Sequence, residues 1–465
     1  MLHPLSLLLL ATTVTTVTTV TTAARADVLT LERVIELAEQ QGPEAQSARA
    51  QVAVAEAQRD RAATATMPSV SLSSSVSPGA QMTVPLVSQD GSALCTAGNL
   101  ACSVGTVPVG SARAGASVDA RWRVFDFGAT AATVDQREHV VTATRARASS
   151  SSARVVAQAI KALVAVIADD ELVHVRERLA AERTQQAAVV RGRAELGDSA
   201  MADVLQAEVA ADSAAFDVEL ARSQALVDRV TLLGILGLGA GNGSVGDGVG
   251  DSVGDVVVDA NPGLDLQLSA TTMAATAVAN DVHPDVRAAR EDLQGATSSV
   301  VAAERGLWPT IDANASVGAS LVAITKPDAN VTPSAGLGLS LSWPLLDLGR
   351  GADVRQARAS QIVADKARSA RETAIATEAA RASQQLTSQQ ALLQRATRLR
   401  DSARVAVEVV TARVAGGAAR LGDLLDAQAA LTSAEASLVA ARAARAQATV
   451  DVAAATGVID RASFQ

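Results

Sequence analysis

Ala112–Gly128 reads ARAGASVDARWRVFDFG. Ala112, Ala114, Ala116, Val118, Ala120, Trp122 and Val124 fall on one side of a strict alternation, and Arg113, Gly115, Ser117, Asp119, Arg121 and Arg123 on the other. A period of two places one set on each face of a β-strand, one apolar and one wet. The same pattern returns twice. Ile311, Ala313, Ala315, Val317, Ala319, Leu321 and Ala323 alternate with mostly Asp, Asn, Ser and Gly, and Ala335 to Leu345 alternate with Gly and Ser. Val70, Leu72 and Val76 give a weaker fourth example. Such lengths suit tilted, bilayer-spanning strands. Trp122, Trp308 and Trp343 stand at the helix-proximal ends of these strands, where an aromatic belt meets a membrane surface. The competing reading is the edge of a soluble sandwich, for which four strands are too few. They are also too few to close a barrel, and open edges in lipid leave costly unpaired backbone groups. The chain is therefore expected to oligomerise, with the polar strand faces lining a lumen.

Working outward, residues 129–196 contain no Pro and only Gly192, so they predict one helix of roughly 100 Å at ~1.5 Å per residue. Residues 352–415 predict a second. Gly197 and Gly416-Gly417 break these helices, and return helices are expected over about 199–237 and 418–457. A fibrous coiled coil would explain the helices but not the strands. The two halves also repeat. The step Pro43 to Pro68 recurs as Pro284 to Pro309, WRVFDFG (Trp122–Gly128) as WPLLDLG (Trp343–Gly349), and GDSAMADVLQAE (Gly197–Glu208) as GAARLGDLLDAQ (Gly417–Gln428). The expected division is a first repeat over 27–237, a Gly/Asp-rich connection over 238–263 and a second repeat over 264–465.

Residues 1–26 read as a secretory signal, with an apolar Leu5–Leu10 core and a small-x-small end at Ala24-Arg25-Ala26. Beyond it there is no uninterrupted run of 18 apolar residues, so no transmembrane helix is expected. Cys95 and Cys102 share a Gly/Ser/Val-rich loop, and in an exported chain such a pair predicts a disulfide, with two free thiols as the alternative. Of 465 residues only 2% are aromatic, and the formal charge is −9. The charge argues against a nucleic-acid partner. The four His are scattered, so no metal site is expected, and no phosphate loop or nucleophile elbow is present. These features point away from an enzyme and imply no cofactor.

Taken together, LTLERVIELAEQQGPEAQSARAQVAVAEAQ, WRVFDFG, LSWPLLDLGR and the stretch from Gly416 to Gly457 resemble the outer-membrane efflux protein (TolC-like) family over nearly the whole mature chain. The resemblance implies a mixed α and β membrane protein. Long α-helical hairpins would form a periplasmic tunnel, and four transmembrane strands per chain would complete a 12-stranded barrel in outer-membrane lipid as a homotrimer. It implies an exit duct for small molecules or proteins, serving tripartite efflux or type I secretion, with a periplasmic adaptor and an inner-membrane pump as partners. The alternative is a periplasmic adaptor or structural coiled coil. In the family, acidic residues after the second hairpin tip narrow the tunnel mouth. The matching positions here are Asp423 and Asp426, with Asp203 equivalent in the first half; their other reading is a solvated helix face. With no Tyr in the chain, any salt-bridge latch would fall to Arg413 or Arg420. The adaptor would dock at the tips, Leu196, Gly197, Asp198 and Ser199 in one and Gly416, Gly417, Ala418 and Ala419 in the other.

Overall fold

The structure is a computed structural model. It describes residues 29–83, 86–88, 102–104, 107–197, 200–238, 264, 283–324, 330–455, 457 and 459. The signal sequence, Cys95, and residues 239–263 of the connection lie outside these residues, as do Asp198 and Ser199 of the first tip. The disulfide therefore stands as a sequence expectation.

In chain order the elements are α1 (Leu31–Gln41), α2 (Pro43–Ala63), β1 (Ser69–Thr83), β2 (Leu86–Ser88), β3 (Cys102–Val104), β4 (Val107–Phe125), α3 (Ala129–Glu195) and α4 (Met201–Leu236). They continue with α5 (Pro284–Arg305), β5 (Thr310–Ile324), β6 (Asn330–Ser342), α6 (Leu348–Ala415) and α7 (Leu421–Ala455). The chain divides into two compact units. One comprises Met1–Glu36, Ala159–Leu266 and Arg395–Ala443; the other comprises Leu37–Gln158, Gln267–Gln394 and Ala444–Gln465.

The second unit holds a four-stranded antiparallel sheet in the order β1-β4-β5-β6. Its register aligns the alternating residues into continuous rows. Val70, Ala120, Ala315 and Leu337 lie side by side, as do Leu72, Val118, Val317 and Ala335. On the other face, Ser71, Asp119, Ser316 and Gly336 form one row and Ser69, Arg121, Asn314 and Gly338 another. A one-residue slip would exchange the faces, so the alternation itself fixes the register. The apolar face is bare: Leu72, Val76, Leu337 and Leu339 are among its most exposed side chains, Leu337 at 90%. A surface of that kind calls for lipid or another apolar partner. The strands outrun the sequence expectation, because β1 and β4 extend to Thr83 and back to Val107. Alternation is interrupted there by Pro78, Gly79 and Pro108, which leaves no period to read.

The sequence motif at the strand-to-helix corner has a local cause. Asp126 caps α3, accepting from the Gly128 and Thr130 amides at 3.0 and 2.8 Å. Phe127 and Gly128 both take positive φ, at 55° and 82°, and Arg305 Nη1 donates to the Gly128 carbonyl at 3.0 Å. A Cβ on residue 128 would lie 2.7 Å from that Nη1, which is the movable end of a side chain, so it is the left-handed φ that calls for glycine. In the second half, Asp347 does the same capping through the Gly349 and Arg350 amides.

The helices match the expected plan closely. α3 ends at Glu195 and α6 begins at Leu348, a turn earlier than the Gly349 and Gly351 of the sequence suggest. One break was not legible: α1 and α2 are separate helices divided at Gly42, where a Cβ would come within 2.5 Å of the Ala38 carbonyl oxygen and 3.1 Å of Val155. α3 also contains a window apolar enough to cross a membrane by length and composition, contrary to the expectation of none. With 56% of it buried in the protein, it reads as helix-packing core.

Candidate pore constriction, hairpin tips and membrane belt

In the first unit, α4 folds back on the end of α3, and an ion-pair ladder ties the two. Asp170 meets Arg229 at 2.8 Å, Arg176 meets Asp217 at 3.0 Å, and Glu177 meets Arg222 at 2.7 Å. Arg191 and Glu208 close the ladder near the tip. At the tip, Val190, Val204 and Ala207 are buried together, and Leu421 at the start of α7 packs on them. Gly422 of α7 also faces Gln206 of α4. The first turns of α4 and α7, which carry Asp203 and Asp423, are thus brought together although 220 residues separate them in sequence.

Asp423 and Asp426 are both exposed, one turn apart on α7. The Asp423 carboxylate accepts the Arg420 amide at 3.0 Å, so it also caps its helix. Asp203 is half-buried in the first turn of α4. Sequence reasoning missed Arg183. This α3 side chain is 6% exposed and donates from Nη2 to the Leu425 carbonyl at 2.6 Å. Burial lowers its pKa from the ordinary guanidinium value, while Asp426 and Glu182 pull it back up. It anchors α7 and places a positive charge behind Asp426. Nothing in the sequence distinguishes it from the many other arginines.

The second tip is a Schellman turn: the Ala418 amide donates to Arg413 O at 2.7 Å, the Gly417 amide to Val414 O at 3.1 Å, and Gly417 has φ 71°. Gly197 has φ 80°, and its amide donates to Ala194 O. Around both glycines the space for a Cβ is open. Leu196 is 86% exposed. Gly416, Ala418 and Arg420 are exposed and Ala419 half-buried. Among the described residues Arg413 and Arg420 make no ion pair; Arg413 reaches its own tip, at Ala418 O.

Asp169 lies beside the ladder and faces Asp228 across the hairpin. Burial pushes its carboxyl up to about 7, and a hydrogen bond to Asp228 with repulsion from Asp228 and Asp170 adds to this. Its Oδ2 is buried without a partner. The folded hairpin therefore holds a proton that the unfolded chain, with a carboxyl pKa near ~4, releases. Stability should fall as pH rises from about 4 to 7 and level off above that. Asp169→Asn is expected to flatten the slope and gain about 1–2 kcal/mol at neutral pH, read from denaturant unfolding of the detergent-purified protein.

In the second unit, Trp122, Trp308 and Trp343 are each about half exposed at one end of the sheet. Trp122 Nε1 donates to the Thr66 carbonyl at 2.9 Å. Phe125, Phe127 and Trp308 form a ring cluster, with centroids 4.7 and 5.3 Å apart. The two phenylalanines add to the aromatic group at this end of the sheet, beyond the three Trp read from sequence.

A bare apolar sheet face with aromatics at one end, joined in one chain to long helical hairpins, is the architecture of an outer-membrane channel subunit. The family model for outer membrane efflux proteins matches residues 34–238 and 276–458, and the chain belongs to that family. It is an outer-membrane export channel protein, and such channels work with adaptors and inner-membrane pumps. This sets aside the adaptor and coiled-coil alternative. Among solved structures it is similar to the outer-membrane channel OprN, with 20% identity, TM-score 0.67 and coverage of 92% of this chain and 89% of that one. It is also similar to VceC from Vibrio cholerae (16%, 0.69, 92% and 96%) and to the open state of the MtrE channel from Neisseria gonorrhoeae (18%, 0.67, 92% and 88%). No curated protein sequence matches it.

Proposed function

We propose that three copies close one 12-stranded barrel and that the duct narrows at Asp423, Asp426 and Asp203. The carrying observation is the sheet: among the described residues its edge strands β1 and β6 have no partner on their outer sides, while its apolar rows run unbroken from one edge to the other. Pairing β6 of one copy with β1 of the next satisfies both edges and continues both faces. The two sequence repeats, 27–237 and 264–465, would then each supply two wall strands and one hairpin per copy. Crosslinking in detergent tests this: a trimer is expected, and a ladder ending at one or two chains would rule it out.

At the narrow end, a trimer places six carboxylates from Asp423 and Asp426 around one opening. Like charges so close favour bound cations. The pore should prefer cations and be blocked by multivalent cations from the periplasmic side. Asp423→Asn with Asp426→Asn should weaken both effects in planar bilayers. Wild-type preference and block in that double mutant would place the two aspartates on an outer, solvated face. Any latch by Arg413 or Arg420 would act between copies. The open glycine tips are the expected adaptor contact.

A further inference from the structure

We propose that Arg121 forms a guanidinium collar inside the strand-lined part of the duct and is the residue by which that segment favours anionic cargo. This rests on the trimeric barrel proposed above.

The wet face of the sheet is built from small side chains. From Ser69 to Ser77, Gly115 to Arg123, Thr310 to Ser320 and Thr332 to Ser342 its residues are Ser, Thr, Gly, Asn or Asp, with two exceptions, Arg121 and Arg123 of β4; Arg113, opposite Ser77, is a third arginine on the same face. Within those spans Arg121 and Arg123 are the only long side chains that this face can extend toward the axis. The two differ in what they face. Arg123 is opposite Asp312 in the register and donates to it through Nε at 3.2 Å, which holds it along the wall. Arg121 is opposite Ser69 on one side and Asn314 on the other, with Gly338 beyond. Among the described residues, no carboxylate lies within ion-pair distance of it. It is exposed and lines a groove of about 760 Å³ on this face.

The competing charge is Asp119, two residues away on the same face and so about 6.6–6.8 Å along the strand. Its short carboxylate is tied to the wall by the Ser117 hydroxyl at 2.8 Å. With Arg113 included, the described wet face carries three arginines against Asp119 and Asp312, a net charge of +1 per chain. Around Arg121 the local field is set by which charge projects furthest. The long stem and planar fork of Arg121 give it that position. Three copies put three guanidinium groups at one level, within about one Debye length (~8 Å in physiological salt) of a solute passing along the wall. The chemistry they recognise is a carboxylate, sulfonate or phosphate group, which a guanidinium can bind with two parallel hydrogen bonds. Replacing Arg121 takes the described face from a net charge of +1 to neutral per chain, so the preference should fade.

The test is reversal potential in a KCl gradient across planar bilayers, with Asp423→Asn and Asp426→Asn as the parent so that the tip carboxylates do not dominate. Arg121→Gln should lower the chloride-to-potassium permeability ratio about threefold, as a change of roughly one kT in local potential would. Asn314→Asp, which puts a carboxylate opposite Arg121 without removing it, should lower the ratio in the same way and covers the case in which Arg121→Gln fails to insert. An unchanged ratio in either conducting variant overturns the collar. Failure of the parent chain to form a conducting trimer overturns the barrel reading itself, and the collar with it.

Discussion

Asp285→Ala should cost the second unit about 2–4 kcal/mol of stability. Asp285 stands in the first turn of α5 with its side chain only 8% exposed. Arg154 of α3 reaches it at 3.0 Å and Arg371 of α6 contacts the same oxygen, so one carboxylate ties three helices. Its amide donates to His283 Nδ1 at 3.1 Å, which caps the helix from the preceding side. Burial also lowers the His283 pKa, so the ring stays neutral and able to accept. Removing the carboxylate leaves two guanidinium groups facing each other and removes negative charge from a helix N-terminus. Both arginines keep some solvent, at 60% and 40% exposure, which is why the expected cost falls short of that for a fully buried pair. Burial alone would raise the Asp285 pKa. Hydrogen bonds from Ser150 and Arg371, with the charges of Arg371 and Arg154, outweigh it and hold the carboxyl below its ordinary range. The sign follows. A depressed folded pKa contributes stability that is fully present above about pH 4 and is lost as pH falls through the folded value. Asp285→Ala should therefore lower the thermal midpoint of the helical circular dichroism signal at neutral pH. The gap from wild type should narrow in acid. A midpoint unchanged at neutral pH would show that the two arginines are held by other contacts.

The strands and the long helices were legible in the sequence because each has an uninterrupted period. Alternation from Ala112 to Val124 leaves no helical solution, and 68 residues without Pro leave no natural stop. The corner motif was legible as a repeat, since Asp126 and Asp347 do one job in both halves. What escaped reading depends on contacts distant in sequence. Val155 lies against Gly42, where Gly42-Pro43 divides two helices, and Arg183 matters because Leu425 offers a carbonyl 242 positions away. The neighbourhood of Asp203 and Asp423 is of the same kind: each was assigned through the family resemblance and its offset to a glycine, and only packing of Leu421 on Val204 and Ala207 brings the first turns that carry them together.

Gly417→Trp should abolish export while leaving the protein folded, inserted in the outer membrane and in its native oligomeric state. Glycines at helix ends have two different reasons for being glycine here. Gly457, with φ 73°, could not carry a side chain in any conformation, because its Cβ would lie 2.5 Å from Pro284 Cδ and 2.8 Å from the His283 ring. Gly417 needs glycine only for its left-handed backbone, since nothing lies within 4 Å of where its Cβ would sit. A non-glycine residue there costs on the order of 1 kcal/mol in backbone strain, too little to unfold a tip held by the Ala418 and Gly417 amide bonds. Under the proposed docking role, that open space admits the end of a partner helix, which an indole would block and a methyl would not. Gly417→Ala is therefore the control, because it carries the same strain without the bulk. In cells supplied with the cognate adaptor and pump, Gly417→Ala should keep most of its export and Gly417→Trp should fall to background. Adaptor crosslinking to the tip should be lost in parallel. Equal export from the two variants would show that the tip has no docking role, and equal loss would trace the defect to the backbone turn and not to a blocked surface.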